Sequence, residues 1–300
     1  MLILEDFVLG EIPLKIVRDD LFPGIGGGNK SRKAVEYEKD IERVGANALV
    51  TTGGIQSNHC RAIALLAARK GWKCHIVYHG TLERFEKEKG NALLVRMAGA
   101  SVEFVDSSQI AEAMDLAMSS FKKQGLIPYY VTGGGHDIPG GIAYVKAMKN
   151  LKEQCEKVQW IPDYIFLASG TGSTQCGIVV GSKLIGWEDV KTIGISVARN
   201  KQKGLVCMRS FLKNLSEYYN INQDLSDKIY FSDSFLCGGY ESYTSEMSDF
   251  LKNIALEKGL ILDTTYSGKA CWGMMNIIKE MSLVGNILFW HTGGLMNIQK

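Results

Sequence analysis

The chain lacks the spacings that hold metals and the charge bias that holds nucleic acid. Its seven cysteines, at positions 60, 74, 155, 176, 207, 237 and 271, are odd in number and include no C-x-x-C. That pattern speaks for reduced thiols in a cytoplasmic protein and against a disulfide framework or a metal site. Lys and Arg total 34 against 32 Asp and Glu, a formal net charge of +2, with no run of like charge. Neither a nucleic-acid track nor a membrane-surface patch is expected. No apolar stretch is long enough to span a bilayer. Residues 1–10 carry Glu5 and Asp6 where a secretory signal would have basic residues. Internal repeats and low-complexity segments are also absent.

What is present is ordinary for a folded protein: 300 residues, 46% hydrophobic and 22% charged, with a mean hydropathy near zero. That length suits two domains or one large α/β unit. Residues 48–52, 74–78, 102–105 and 129–132 read as strands. Between and after them, 61–70, 90–98, 110–123 and 141–152 space apolar residues by three and four, as amphipathic helices do. After Pro162 a second series has strands at 164–168, 192–197, 229–232 and 287–290 and helices near 174–185, 203–218, 243–258 and 268–281. Strands joined by helices imply parallel pairing, so the fold class is α/β with parallel sheets flanked by helices. We expect a large domain from residues 1–40 and 150–300, an inserted smaller domain from 41–149, and a small-molecule ligand in the cleft between them.

Four segments have the residue types for chemistry. Gly26-Gly27-Gly28-Asn29-Lys30-Ser31-Arg32-Lys33 places glycines before a lysine and opens a helix; Asn29 between glycine and lysine separates it from a Walker A loop. Gln56-Ser57-Asn58-His59 lies between a strand and a helix, where free N–H groups bind anions and where Ser57 or Asn58 equally serves as a helix cap. His59 alone reads as a satisfied polar residue. Gly170-Thr171-Gly172-Ser173-Thr174-Gln175 repeats the strand–turn–helix arrangement and suits a phosphate. Gln175 in the third glycine position argues against a dinucleotide fingerprint. Finally, Asp263 to Lys269 and Trp290 to Gly294 bring hydroxyls at Tyr266 and Thr292 to the mouths of late elements.

Taken in order, Arg18-Asp19-Asp20, Asn29-Lys30-Ser31-Arg32-Lys33, Gln56 to His59, Gly170 to Gln175, Tyr266-Ser267-Gly268-Lys269 and His291-Thr292-Gly293-Gly294 strongly resemble one family. It is the pyridoxal-phosphate family of 1-aminocyclopropane-1-carboxylate deaminase and D-cysteine desulfhydrase, and the likeness covers nearly the whole chain. The resemblance implies the tryptophan-synthase-β type of fold (fold type II), with pyridoxal 5'-phosphate between the domains and no metal. It implies that Lys30 forms the Schiff base with the cofactor. Gly170, Thr171, Gly172, Ser173 and Thr174 would hold the phosphate together with Lys33, and Asn58 the ring 3-oxygen. Ser57 would face the substrate or move a proton, the Gln56, Ser57, Asn58, His59 turn would bind the substrate carboxylate, and Tyr240 and Tyr266 would be the two active-site tyrosines. A homodimer and a small amino-acid substrate are implied as well.

Two positions discriminate within the family. In the cyclopropane deaminases a glutamate follows the Tyr266 equivalent and contacts the ring nitrogen, and leucine stands at the position of Thr292; here the residues are Ser267 and Thr292. A carboxylate would keep the ring nitrogen protonated and strongly electron-withdrawing, whereas a neutral hydroxyl leaves it largely unprotonated. A weaker electron sink suits elimination of a good leaving group. The expected reaction is therefore α,β-elimination from a small, D-configured amino acid such as D-cysteine, giving pyruvate, ammonia and sulfide. The alternatives are a 1-aminocyclopropane-1-carboxylate deaminase, to which Gly172 to Gln175 is similar, a dehydratase, a racemase or a β-replacement enzyme, and a binding protein that keeps only the fold. The chain departs from the family's pattern at Ile12-Pro13-Leu14 and at Gly133 to Gly141.

Overall fold

The computed structural model describes residues 2–299. A β-hairpin, β1 (Leu4–Leu9) and β2 (Ile12–Arg18), leads to α1 (Gly28–Arg43). The βα series follows as β3 (Ala48–Gly54), α2 (Asn58–Lys70), β4 (Lys73–His79), α3 (Leu82–Lys87), α4 (Gly90–Met97), β5 (Ser101–Val105), α5 (Ile110–Lys123), β6 (Pro128–Val131) and α6 (Ile138–Lys157). The second half contains β7 (Tyr164–Ser169), α7 (Ser173–Leu184), β8 (Lys191–Ser196), α8 (Lys201–Tyr218), β9 (Ile229–Ser232), α9 (Ser245–Lys258), α10 (Ser267–Glu280) and β10 (Ile287–His291). A 3-10 turn, Leu295–Gln299, follows.

These strands make two sheets. One has six strands in the order β1-β2-β10-β7-β8-β9, the other four in the order β5-β4-β3-β6. Every pairing is parallel except the β1–β2 hairpin. The chain is thus α/β with parallel sheets flanked by helices, as the alternating pattern implied. The hairpin supplies two strands of the larger sheet and, among the described residues, its antiparallel edge.

Period-two alternation decides the faces. In β7 and β10, Phe166, Ala168 and Phe289 point to one side and pack with Met247, Leu251 and Met274 of α9 and α10. Ile165, Leu167, Leu288 and Trp290 point to the other and pack with Tyr144, Met148 and Leu151 of α6. The smaller sheet buries Leu49, Ile76 and Tyr78 against α2 and α4, and Val50 and Val77 against Ala113 and Met114 of α5. Each such fully buried aliphatic side chain contributes about 1.5–3 kcal/mol. Helix α1 joins the two sheets: Ala34, Tyr37 and Ile41 pack in the core of the four-stranded sheet, while its first turn meets the end of β10 through the hydrogen bond from Asn29 N to Thr292 O.

Helix α6 begins three residues earlier and ends five later than the apolar spacing predicts. Pro139 suits its first turn, where no N–H is required. Gly141 is needed inside it because a Cβ there would fall 2.8 Å from Leu215 of α8. The short helix α3 has no apolar stripe to announce it, with Phe85 its one buried residue.

Candidate functional site

The carboxyl ends of parallel strands and the amino ends of the following helices converge on one pocket, the usual location for a ligand in such sheets. Its lining includes Lys30 and Lys33 from α1, Asn58 from α2, Gly170, Thr171, Gly172 and Thr174 around the start of α7, Tyr266 ahead of α10 and Thr292 after β10. Nine of the residues expected from the sequence are therefore gathered in one place. No Asp or Glu is among the described lining residues.

Lysine chemistry starts with α1. Its first turn abuts the turn after β10 so tightly that a Cβ on Gly293 would stand 2.6 Å from the Cα of Gly28. Asn29 N donates to Thr292 O at 2.9 Å, and Asn29 Nδ2 donates to Thr174 Oγ1 at 3.3 Å. From this anchored turn Lys30 Nζ donates to Gly134 O at 2.7 Å. One helical turn on, Lys33 Nζ donates to Ser173 Oγ at 2.7 Å and to Gly135 O at 3.3 Å. The Gly133 to Gly135 loop, which the sequence reading saw only as a departure, receives both amines. Burial pushes the Lys30 ammonium down to about 8. Burial, reinforced by the neighbouring Lys30 charge, lowers Lys33 well below the ordinary lysine value. A lysine so placed is partly neutral near pH 7–8 and can act as a nucleophile toward a carbonyl.

The anion cradle is the start of α7. Gly172 takes a left-handed φ of 89° as the N-cap, and no side chain caps the helix. The first helical bond, from Cys176 N, goes to Gly172 O at 2.9 Å, so the N–H groups before it are available to an anion at the positive end of the helix dipole. Ser173 lies beneath the cradle and donates to Gly135 O at 2.9 Å. Gln175, the misfit in a dinucleotide motif, is buried and donates to Thr192 O and Tyr230 O, fastening β8 and β9 instead of touching a ligand.

The turn before α2 divides its duties. Ser57 Oγ caps the helix by accepting from Cys60 N at 3.2 Å, and Asn58 reaches the pocket. Gln56 and His59 are not brought to it: Gln56 Nε2 donates to Glu88 at 2.6 Å and to Lys89 O at 2.9 Å, and His59 Nε2 meets Thr51 Oγ1 at 2.8 Å. His59 is buried and its basicity falls well below the usual histidine value, through desolvation first and then the two lysine charges. Its side chain matches the reading of a satisfied polar residue, so a carboxylate bound by this turn would have to rely on its backbone and on Ser57 and Asn58.

Tyr240 and Tyr266 touch hydroxyl to hydroxyl, their rings 5.9 Å apart and nearly perpendicular. Burial keeps both protonated: Tyr240 is pushed up to about 12, and Tyr266 well above the ordinary tyrosine value. The residue that holds Tyr266 is Asp263, to which the sequence reading gave no role. Its buried carboxylate accepts from Thr265 N at 3.0 Å, Tyr266 N at 2.9 Å, Ser267 N at 2.9 Å and Ser267 Oγ at 2.7 Å. Ser267 is thereby turned away from the pocket while Thr292 lines it. His291 shapes the last turn, with Nδ1 accepting from Gly293 N at 3.2 Å and Nε2 facing Ile261 O at 3.0 Å.

The sequence also left Asp19 without a role. Fully buried, it accepts from Arg32 Nε at 2.9 Å, Tyr144 Oη at 2.5 Å and Trp290 Nε1 at 2.8 Å. It ties α1 to α6 and β10 close to the lysine. Only a long-range view finds it, because Trp290 lies 271 residues away.

Comparison with known proteins agrees with this donor set. Residues 10–293 match the family model described as "Pyridoxal-phosphate dependent enzyme". A D-cysteine desulfhydrase of Salmonella newport is 32% identical, the match covering 97% of this chain and 89% of that protein. A Pyrococcus horikoshii protein provisionally named a 1-aminocyclopropane-1-carboxylate deaminase is 31% identical, covering 93% of this chain and 84% of that one. A solved structure described as an ACC deaminase homologue superposes with a TM-score of 0.85 at 30% identity, covering 96% of this chain and 86% of that one. A partly neutral lysine, an uncapped helix start for a phosphate and polar groups for a pyridine ring fit pyridoxal phosphate in charge and chemistry. The chain belongs to the pyridoxal-phosphate-dependent enzyme family, with its relatives among the deaminases and desulfhydrases named here.

Proposed function

We propose that the enzyme catalyses α,β-elimination on a small β-substituted amino acid of D configuration, with D-cysteine the prototype. Overall, D-cysteine and water give pyruvate, ammonia and sulfide: the Cα–H and Cβ–S bonds break, and hydrolysis releases the nitrogen. The observation that carries this reading is the pairing of Thr292 in the pocket with an absence of carboxylates among its described lining residues. An uncharged hydroxyl at the ring nitrogen gives a modest electron sink, enough where a stable thiolate leaves.

Bound pyridoxal phosphate supplies an aldehyde for amine capture and a ring that withdraws electrons from Cα. Lys30 Nζ would hold the aldehyde carbon and, as an amine lowered in basicity by burial, would serve as the base that takes a proton from Cα. The cradle of residues 170–174, backed by Lys33 through Ser173, would hold the phosphate, and Asn58 would meet the ring 3-oxygen. The substrate carboxylate meets Ser57 and the backbone of its turn. Tyr266 and Tyr240, kept protonated by burial, place a proton where the leaving sulfur departs.

The same reading divides the chain into a large domain, 1–40 and 150–300, and a smaller one, 41–149, closing on the substrate. A homodimer in the cytoplasm is part of it. The structural likeness to an ACC deaminase homologue and the Gly172 to Gln175 loop favour cyclopropane ring opening as the second reading. One assay separates the two: incubate the holoenzyme with D- and L-cysteine, other β-substituted D- and L-alanines, and 1-aminocyclopropane-1-carboxylate, and identify the keto acid. Pyruvate with sulfide from D-cysteine alone supports the proposal. A four-carbon keto acid from the cyclopropane, with none from D-cysteine, overturns it.

A further inference from the structure

Asn58 has an amide whose two ends differ chemically but not in shape, so something must decide which end meets the cofactor. Its Oδ1 accepts from Asn91 Nδ2 at 3.1 Å. Asn91, at the start of α4, is completely buried. The same Nδ2 also lies 3.0 Å from Gln56 O and 2.7 Å from Asn297 Oδ1, so its two hydrogens are shared among three acceptors. Asn297, in the terminal 3-10 turn, faces Gln56 O with its own Nδ2 at 3.5 Å.

A backbone carbonyl can only accept. Gln56 O therefore requires the nitrogen end of Asn91, which in turn requires the oxygen ends of Asn58 and Asn297. One peptide oxygen sets the direction of three amides. The arrangement has a cost, because Asn91 Oδ1 is buried with no hydrogen-bond partner among the described residues, and a buried acceptor left unpaired is uncommon enough to call for an explanation.

We infer that Asn91 is a positioning residue that commits the oxygen of Asn58 and so presents its N–H2 group, a donor, to the ring 3-oxygen of the cofactor. The orphaned Asn91 oxygen is then the consequence of selecting one orientation. Asn297 couples this choice to the turn after β10, which bears on the pocket through that side chain without lining it. The inference rests on the proposed placement of Asn58 at the ring.

A donor to the 3-oxygen stabilises its ionised form, so losing or reversing the donor raises the pH at which the bound chromophore titrates. The experiment is a spectrophotometric pH titration of pyridoxal-phosphate-loaded wild type, N58A, N91A and the double variant, with thermal unfolding in parallel. The midpoint is expected to rise by about one unit in N58A and in N91A, with no further rise when both are combined, as for residues acting through one another. N91D, which matches asparagine in shape and removes the donor, is expected to rise at least as far, and it serves if N91A does not fold. Lowered unfolding temperature with an unmoved midpoint in N91A or N91D, or additive shifts in the double variant, would overturn the inference. So would an N58A midpoint equal to wild type. A wild type that binds no pyridoxal phosphate would instead remove the functional reading on which the inference rests.

Discussion

Ser267 Oγ donates to Asp263 Oδ1 at 2.7 Å, and this bond decides what position 267 can do. The sequence places Ser267 where the cyclopropane deaminases have a glutamate aimed at the ring. In this chain the side chain is buried and turned toward another acid, so on the proposed reading the hydroxyl left for the ring is Thr292.

S267E forces a second carboxylate beside the buried Asp263. The expected result is a loss of about 2 kcal/mol or more, read from urea unfolding, rather than a gain of cyclopropane-opening activity. A stable S267E protein with an altered cofactor spectrum would show that position 267 does reach the ring.

The lysine amine makes stability depend on pH in a definite direction. Lys30 titrates near 8 in the folded chain against about 10.5 when free, so between those values the unfolded state binds more protons and stability rises with pH. Lys30 adds at most about 1.4 kcal/mol per pH unit to that slope. In cofactor-free protein, K30A is expected to flatten the rise between pH 8 and 10 in urea midpoints. A slope unchanged by K30A would mean that the amine titrates normally.

Asp19 is a buried anion shared by Arg32, Tyr144 and Trp290. D19N leaves the Arg32 guanidinium without its counter-charge and is expected to cost about 3–5 kcal/mol. Replacing both ends with D19L and R32M is expected to recover part of that loss. If the double variant is no more stable than D19N in thermal unfolding, the charge pair is not the source of the cost.

Gly172 combines a φ of 89° with a neighbour, since a Cβ there would lie 2.0 Å from Met208 Cγ. G172A is expected to lose about 1–3 kcal/mol and to weaken binding of pyridoxal phosphate by distorting the helix start. M208A relieves the clash but leaves the backbone strain, so the G172A/M208A pair should recover only part of the affinity, as measured by fluorescence titration.

Much of this was legible in the sequence because it is local. Short apolar runs placed β3 to β10 to within a few residues, and α5 matched residue for residue. The ordered motifs supplied Lys30, Asn58, the cradle before α7 and Thr292, since each is a short run whose glycines and polar residues sit at a strand end. What stayed hidden is pairing across distance. Asp19 with Trp290, 271 residues apart, and Asn91 with Asn297, 206 residues apart, leave no local period. The roles of Gln56 and His59 were blurred because a polar residue inside a motif faces the ligand or the scaffold depending on its partner, here Glu88, 32 residues on, and Thr51 on the preceding strand respectively.

The contact of Gly28 with Gly293, and the Asn29-to-Thr292 hydrogen bond beside it, are made by main-chain atoms alone. The separation between the reactive amine and position 292 is consequently indifferent to which side chain occupies that position. On the proposed reading, exchanging the hydroxyl there for an aliphatic group would retune the ring without displacing Lys30, so substrate preference would shift in small steps on an unchanged backbone.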